Sequence, residues 1–319
     1  MHYLGIDVSK DKFDVALMLD EAAPDQFKQK VFSNNNDGYN KLIKWLDKRV
    51  SEPVHFAMEA TNIYWEELAV FLNDKGLTVS VVNPTLVKNE AKSWGVRNKT
   101  DKTDATVIAR FCAAKKPQAW VAPSAEIREL RDLVRYLETL QDERQRYKNR
   151  LQTASSELVR ASLKQLIAFL DAEIGTLKKR ISNHINRHPG LKKDAELLAS
   201  IPGIGPKTVA VILSELPDVA NFSSSKSVAA YAGLSPMKAE SGKHKGATRL
   251  CKFGNAQLRR ALYFPAIAAA THNEYFREFY TRLTRRDKCK MIAIGACMRK
   301  LLVTAYGVLR SGNPFQMPA

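Results

Sequence analysis

The sequence lacks the cysteine and histidine patterns of disulfide frameworks and zinc sites. Its four cysteines, Cys112, Cys251, Cys289 and Cys297, are scattered and form no C-x-x-C pair. This spacing is typical of reduced, mostly buried thiols of a cytoplasmic protein. The six histidines are equally dispersed and form no H-E-x-x-H motif. We therefore expect no histidine- or thiolate-based metal centre.

Long uncharged apolar runs are also missing, and no basic leader precedes an apolar stretch. We therefore expect neither a membrane span nor a membrane partner. The last helical pattern, over 287–310, carries Arg299 and Lys300 near its middle. Two charges at that position favour a packed helix over a spanning one.

Acidic residues are too few to balance the basic ones. Lys+Arg number 50 and Asp+Glu 33, which leaves a net charge of +17. With 45% hydrophobic residues the chain has the composition of a globular protein. Such an excess of positive charge indicates a polyanionic partner, most often nucleic acid. The alternative is a merely basic soluble protein.

Three regions differ in pattern, and we predict an α/β domain followed by all-α regions. Residues 1–121 show three strands, a helix, a strand, a helix, a strand and a helix. This is the order of a ribonuclease-H-like α/β domain, although other α/β layouts share it. In that fold the first and fourth strands are neighbours.

Four carboxylates occupy special places in this pattern. Asp7 lies in the first apolar strand, Glu59 ends the fourth strand, and Asp101 and Asp104 open the last helix. Oxygen-rich sets of this kind suit Mg²⁺ or Mn²⁺, which assist phosphodiester displacement. Alternatively, the two helix-start acids only complement the helix dipole, and Glu59 is an ordinary strand-end residue. Asp11 and Asp14 compete for the first position, and we prefer Asp7 because it lies within the strand.

Residues 122–189 carry apolar side chains at spacings of three and four between dense charges. The pattern predicts a coiled-coil-like helical segment, with two helices folded back or paired with another subunit. A solvated helical spacer without a partner is the alternative. His188-Pro189-Gly190 marks the boundary with the C-terminal region, 190–319.

The C-terminal region opens with an apolar helix, a Gly203-Ile204-Gly205 turn and a second helix carrying Lys207. This predicts a helix-hairpin-helix whose turn approaches a phosphate, although a plain helical hairpin has the same pattern. A basic loop containing Ser241 follows. Its serine could meet a phosphate, but Ser235 or the serines of 223–227 would serve as well. The candidate nucleic-acid-binding cations around it are Lys243, Lys245, Arg249, Lys252, Arg259 and Arg260.

Motifs along the whole chain resemble those of the DEDD transposases of bacterial insertion sequences, a group of bridge-RNA-guided serine recombinases. The N-terminal motifs are Gly5-Ile6-Asp7-Val8-Ser9-Lys10, Met58-Glu59-Ala60-Thr61 and Lys102-Thr103-Asp104-Ala105. The C-terminal motifs are Ile201-Pro202-Gly203-Ile204-Gly205, Tyr231-Ala232-Gly233-Leu234, Glu240-Ser241-Gly242, and Gly254-Asn255 with Leu258-Arg259.

The resemblance implies a RuvC-like domain, a coiled-coil segment and a C-terminal transposase domain. It implies that Ser241 cleaves DNA to give a phosphoserine-linked end, while Asp7, Glu59, Asp101 and Asp104 hold divalent metal. It further implies a non-coding guide RNA that pairs with donor and target DNA, and a bacterial, nucleoid-associated location. The subunits would form homodimers or homotetramers, with the serine of one subunit meeting the acidic site of another.

Three other functions remain open from the sequence. A metal-dependent Holliday-junction-type endonuclease would use the same carboxylates with water as the nucleophile. An actin-like sugar kinase would need Gly/Thr phosphate loops, which the later sequence does not contain. A non-catalytic nucleic-acid-binding protein would tolerate alanine at Asp7 or Glu59.

Overall fold

The computed structural model divides the chain into two compact units, Met1–Ala122 and Pro123–Ala319. It describes residues 1–19, 26–61, 63–94, 101–237, 240–241, 244–245, 249–251, 253–286 and 289–317. The mixed α/β character expected for the chain is confirmed. The expected subdivision of the second unit at residue 189 stays a prediction.

A five-stranded sheet forms the centre of the first unit. Its strands are β1 (His2–Val8), β2 (Lys12–Met18), β3 (Phe27–Ser33), β4 (Val54–Glu59) and β5 (Thr78–Val82). Their order is β3-β2-β1-β4-β5, with β1 antiparallel to β2 and parallel to β4. The first and fourth strands are therefore neighbours, as expected, and the order is consistent with a ribonuclease-H-like domain.

Helices cover both faces of this sheet. They are α1 (Asn36–Asp47), α2 (Glu66–Asp74), α3 (Pro84–Ser93) and α4 (Asp101–Lys115). Leu4 and Ile6 pack with α1 and α2 on one face, and Tyr3 packs with α4 on the other. Helix α3 was not predicted from the sequence. Its start has Asn83 accepting a hydrogen bond from the Thr85 amide and Pro84 in the first turn, a combination also typical of a turn after a strand.

Two long helices open the second unit, α5 (Ala125–Thr153) and α6 (Glu157–Arg187). They form an antiparallel pair, because Arg144 bonds to Asp171 while His184 contacts the Glu126 carbonyl. The break between them, which the sequence left undetermined, lies at residues 154–156. Leu137, Leu170 and Ile181 belong to a core that continues into the rest of this unit.

The remaining helices of this unit are short, apart from the last. They are α7 (Pro189–Ala199), α8 (Pro206–Glu215), α9 (Ser225–Tyr231), α10 (Ala256–Ala261), α11 (Tyr263–His272), α12 (Glu274–Thr284) and α13 (Lys290–Ser311). Between α9 and α10 lie the two-residue strands β6 (Pro236–Met237), β7 (Glu240–Ser241), β8 (His244–Lys245) and β9 (Arg249–Leu250).

By length and composition, α13 alone among the described helices could cross a membrane, and 56% of its most apolar window is buried inside the unit. Leu301, Leu302 and Ala305 are fully buried in the core, which is typical of the core helix of a globular protein. All four cysteines are free. Burial raises the pKa of Cys112 to about 12 and that of Cys297 to about 11, so both thiols stay protonated at neutral pH.

Candidate active site

Asp7 and Glu59 lie on adjacent strands and on the same face of the sheet. The register pairs Gly5 with Ala57 and Ile6 with Met58, so positions 7 and 59 are the next pair on the face that Gly5 and Ala57 share. Both residues are partly exposed. The sheet therefore brings together two carboxylates that are far apart in the sequence.

Helix α4 lies against β1 at Gly5. A Cβ atom at this position would stand 2.1 Å from the Ala105 carbonyl oxygen and 2.3 Å from the Ala109 amide nitrogen. Only glycine fits such a contact, because neither backbone atom can yield without moving the helix. This contact therefore determines the distance between α4 and the sheet.

The direction of α4 places its acidic start at the same end of the sheet as Asp7. The Cys112 thiol lies 3.9 Å from the carbonyl oxygen of His55, which pairs with Tyr3, while Ala105 lies over Gly5. The start of α4 therefore points towards the end of β1 that carries Asp7, whereas its later residues lie beside Tyr3. Asp104 and the first residue, Asp101, lie further in that direction, although the Asp101 side chain is outside the described part.

Asp14 is an acidic neighbour that had been set aside in favour of Asp7 for the first position of the site. It pairs directly with Asp7 across β1 and β2, and only 5% of it is exposed. Opposed carboxylates repel each other unless a cation is near, and Lys12 supplies one with its Nζ atom 3.2 Å from Asp14 Oδ2. The pairing register was the missing information, because both acids were already visible in the sequence.

The donor chemistry of this end of the sheet fits a hard divalent cation, since every candidate ligand is a carboxylate. Among the side chains that the structure describes, which exclude that of Asp101, no three His, Cys, Asp or Glu residues are close enough to hold a metal ion. The assignment of Asp7, Glu59, Asp101 and Asp104 as metal ligands stays a prediction.

Ser241 lies near the tip of a β-hairpin made of two short strand pairs, β6 with β9 at its base and β7 with β8 further out. The Cys251 amide donates to the Ser235 carbonyl at 2.9 Å, and β6 then pairs with β9. Further out, β7 pairs with β8, with Ser241 opposite His244. The side chains of Ser241 and Lys245 are outside the described part, and so are Lys243 and Lys252 entirely.

A buried carboxylate holds the base of this hairpin, and no sequence pattern indicated it. Glu215 is 2% exposed and accepts hydrogen bonds from Arg135 Nε and Asn255 Nδ2, both at 2.8 Å. The Tyr231 hydroxyl donates to the Glu215 backbone carbonyl at 3.1 Å. Asn255 also caps α10 by accepting from the Leu258 amide at 2.8 Å. The network therefore joins α5, α8, α9 and α10.

Gly254 and Arg259, both from the motifs that suggested the family, complete this junction. Gly254 has a φ of +139°, and a Cβ atom there would stand 2.2 Å from the Tyr231 carbonyl oxygen. Arg259 Nη1 donates to the Ala232 carbonyl at 2.9 Å. Arg259 therefore supports the hairpin base through at least one of its donors, a role that we had not predicted.

The predicted hairpin of helices is present as α7, a turn over 200–205 and α8. Gly203 has a φ of +90°, and a Cβ atom there would stand 2.7 Å from the Pro265 carbonyl oxygen. Gly205 begins α8 without a side-chain cap, and a Cβ atom there would meet nothing within 4 Å. The turn is thus constrained on its Gly203 side and open on its Gly205 side. Its role in nucleic-acid binding stays a prediction.

Lys207 and Arg260, two of the predicted nucleic-acid contacts, both lie near Glu138 on α5. Lys207 Nζ donates to Gln141 Oε1 at 2.6 Å, and Arg260 Nη1 lies 3.9 Å from Asp142 Oδ2. Partial burial raises the pKa of Glu138, although Arg260 and Lys207 act in the opposite direction. The two cations therefore share one surface. Arg249 is exposed on β9.

Comparisons with known proteins match both ends of the chain to transposases. Residues 4–158 match a model of the DEDD transposases of the IS110 type, described as "Transposase". Residues 195–281 match a model described as "Transposase IS116/IS110/IS902 family". The first match contains all four candidate carboxylates, and the second contains Ser241.

Relatives align along nearly the whole chain. The pilin gene-inverting proteins of Moraxella bovis and Moraxella lacunata are each 36% identical to it, with 98% of this chain and 97% of the relative covered. The transposase of insertion sequence element IS1111A from Coxiella burnetii is 22% identical, with 84% and 78% covered. The chain therefore belongs to the IS116/IS110/IS902 family of transposases, and the activity expected of it, that of a DNA transposase, is confirmed.

Proposed function

We propose that the protein cleaves and rejoins DNA strands through Ser241, assisted by divalent metal held by Asp7, Glu59, Asp101 and Asp104. The observation that supports this most directly is the common end of the sheet shared by Asp7, Glu59 and the start of α4. The position of Ser241 close to the tip of a β-hairpin adds support, because a residue there can reach a bound strand. Membership of a DEDD family favours divalent metal dependence.

The serine chemistry conserves the energy of the phosphodiester bond. Ser241 Oγ attacks phosphorus and loses its proton to solvent, while the bond to the leaving deoxyribose oxygen breaks and that oxygen takes up a proton. A hydroxyl of the exchanged strand then attacks the phosphoserine, which restores Ser241 and needs no ATP. Bound Mg²⁺ or Mn²⁺ would stabilise the negative charge that develops on the phosphate oxygens. The strands pass through a Holliday-junction-like intermediate.

A non-coding guide RNA and a second subunit complete the proposal. The charge of +17 is compatible with two nucleic acids, although it does not distinguish RNA from DNA. On α6, Leu158 is 85% exposed and Phe169 is 64% exposed. Exposed apolar side chains of this size favour a protein contact, so we place the pairing of homodimers or homotetramers on the long helices. The protein itself would act in the bacterial cytoplasm, in association with the nucleoid.

The reaction is tested by a search for a protein–DNA adduct that resists SDS. The full-length protein is expressed with the non-coding DNA that flanks its gene, in Mg²⁺, beside Ser241→Ala and the matched variant Ser235→Ala. We expect the adduct in the wild type and in Ser235→Ala and its loss in Ser241→Ala. Metal-dependent cleavage without an adduct would instead establish water as the nucleophile and favour the junction endonuclease.

The carboxylates are tested by metal binding, which does not depend on turnover. Asp7→Asn and Glu59→Gln should each weaken Mn²⁺ binding, measured by calorimetry, because each removes a charged oxygen ligand. Asp11→Asn is the matched control, since Asp11 is exposed in the turn after β1. Equal Mn²⁺ affinity in all three variants would contradict the assignment. Inversion, for which the Moraxella relatives are named, should be scored beside insertion in the same recombination assay.

A further inference from the structure

A basic cleft lies on α12, the residues that follow it and Lys300 of α13, and its described lining contains no candidate residue of the acidic site and no residue of the serine hairpin. Its volume is about 690 Å³, and Tyr275 and Phe279 belong to its lining. Its cations are Arg277, Arg282, Arg285, Arg286 and Lys300, whereas Glu278 is its single acidic residue. The match to the C-terminal family model ends at residue 281, so most of these cations lie beyond it.

Helix-end electrostatics accounts for only part of this cluster. Arg282, Arg285 and Arg286 lie at the carboxyl end of α12, where the helix dipole favours positive charge. Lys300 comes from the middle of α13, where no such effect acts. Arg277 lies one turn from the start of α12, where the dipole disfavours a cation. The helix dipole therefore does not explain the positions of Lys300 and Arg277.

Aromatic rings and a backbone carbonyl hold several of these cations in place. Lys300 Nζ lies 3.3 Å from the ring centroid of Tyr275 and 4.4 Å from that of Phe279. The Arg282 guanidinium lies 5.5 Å from the Phe279 centroid. Arg277 Nη2 donates to the Thr271 carbonyl at 2.8 Å. These contacts position charge without neutralising it, because aromatic rings and carbonyls carry no net negative charge.

Among the described residues, acidic side chains do not pair with these cations either. Within the part of the chain that the structure describes, none of the five cations forms an ion pair with an acidic side chain. The four arginines are exposed, and Lys300 is half-buried. A concentrated and positioned positive charge of this kind is complementary to a polyanion.

We propose that this cleft binds the phosphodiester backbone of duplex DNA. Arginine forms paired hydrogen bonds with phosphate oxygens, and four of the five cations are arginines. DNA is the substrate class of the family, so the proposal requires neither the serine chemistry nor the guide RNA. The contacts are to phosphate and carry no sequence preference. The cleft therefore adds non-specific affinity and orients the duplex.

The test is the salt dependence of duplex binding by the full-length protein, measured by fluorescence anisotropy with a random-sequence duplex in EDTA. The variant Arg282→Gln/Arg285→Gln/Arg286→Gln removes three charges. A plot of the logarithm of the association constant against the logarithm of the salt concentration has a negative slope, and each lost phosphate contact should make that slope shallower by about 0.9. Between 50 and 200 mM salt the wild type should therefore lose about 40-fold more affinity than the variant.

Two further proteins separate the cleft from net charge. Lys28→Gln/Lys30→Gln/Lys44→Gln removes the same charge from exposed positions of the first unit, and its slope should stay near that of the wild type. A third variant that carries lysine instead of arginine at the same three cleft positions keeps the charge, so its slope should be close to that of the wild type. The same titrations are repeated with a single-stranded RNA. An unchanged slope for the duplex in the cleft variant, an equal fall in the lysine control, or a loss seen only with the RNA would each overturn the proposal.

Discussion

Replacing Glu215 with alanine should destabilise the second unit by about 3 kcal/mol. Removal of one partner from a buried ion pair costs about 3–5 kcal/mol, because the other charge is left without compensation. Glu215 is 2% exposed, but the Arg135 side chain keeps 30% of its surface exposed and can be rehydrated. The lower end of the range therefore applies. The same change also leaves Asn255 Nδ2 without this acceptor.

The assay is thermal unfolding of the full-length protein, followed by circular dichroism. For a unit of this size, about 3 kcal/mol corresponds to a fall in Tm of about 6–12 °C. Arg135→Ala should be at least as costly, since it leaves the buried carboxylate with Asn255. The double variant should cost about 1–3 kcal/mol less than the sum of the two, because it leaves no unpaired charge.

Arg144 and Asp171 provide a matched control in the same unit. Their atoms are 2.7 Å apart, a shorter distance than in the Arg135–Glu215 pair, but the side chains are 30% and 47% exposed. Asp171→Ala should cost at most about 1 kcal/mol, as exposed ion pairs do. If Glu215→Ala lowers Tm no more than Asp171→Ala, burial does not determine the strength of the Arg135–Glu215 pair.

Three further predictions concern packing and pH. Gly5→Ala should lower the free energy of unfolding by more than about 3 kcal/mol and weaken Mn²⁺ binding, because α4 must move. Gly175→Ala has open space around it and should raise the free energy of unfolding by about 0.5–1 kcal/mol in the same melting assay. Burial raises the pKa of Glu138, so the contribution of its protonated form to stability is full below pH 4.5 and is lost as the pH rises. Glu138→Gln should therefore have a higher Tm than the wild type at pH 7 and the same Tm below pH 4.5. Burial lowers the pKa of His55, so stability should fall as pH drops below 6.5, and His55→Gln should remove that part of the fall in a pH series of melts.

Local patterns predicted the elements that have a strong local signal. The short apolar strand around Asp7, the capped start of α1 and the glycine turn before α8 each depend on residues within a few positions of one another. In the first unit the missed element is α3, which has a start signal shared with an ordinary turn and Val87 as its only buried residue. A helix with one buried side chain shows no clear apolar period. In the second unit α11, α12 and the short strands around Ser241 were not predicted either, and the segment around Ser241 had been expected to be a loop.

The candidate site was predictable to the extent that it depends on strand order. The ribonuclease-H-like order of elements makes the first and fourth strands neighbours, and this adjacency led us to expect Asp7 and Glu59 to face each other. Asp14 was not placed, because its position opposite Asp7 depends on the register of β1 and β2. That register is decided by packing on both faces of the sheet.

The sequence by itself determined the basic charge of the protein and the order of the strands in its first unit, since these depend on composition and on short-range periodicity. Its motifs carried the resemblance to the transposase family. Only the tertiary structure decided the contact of Gly5 with α4, the burial of Glu215 between Arg135 and Asn255, and the cluster of cations around Lys300. Each of these joins residues distant in the chain, and their closeness depends on how helices and strands pack. Side-chain packing between elements leaves no period in the sequence of either one.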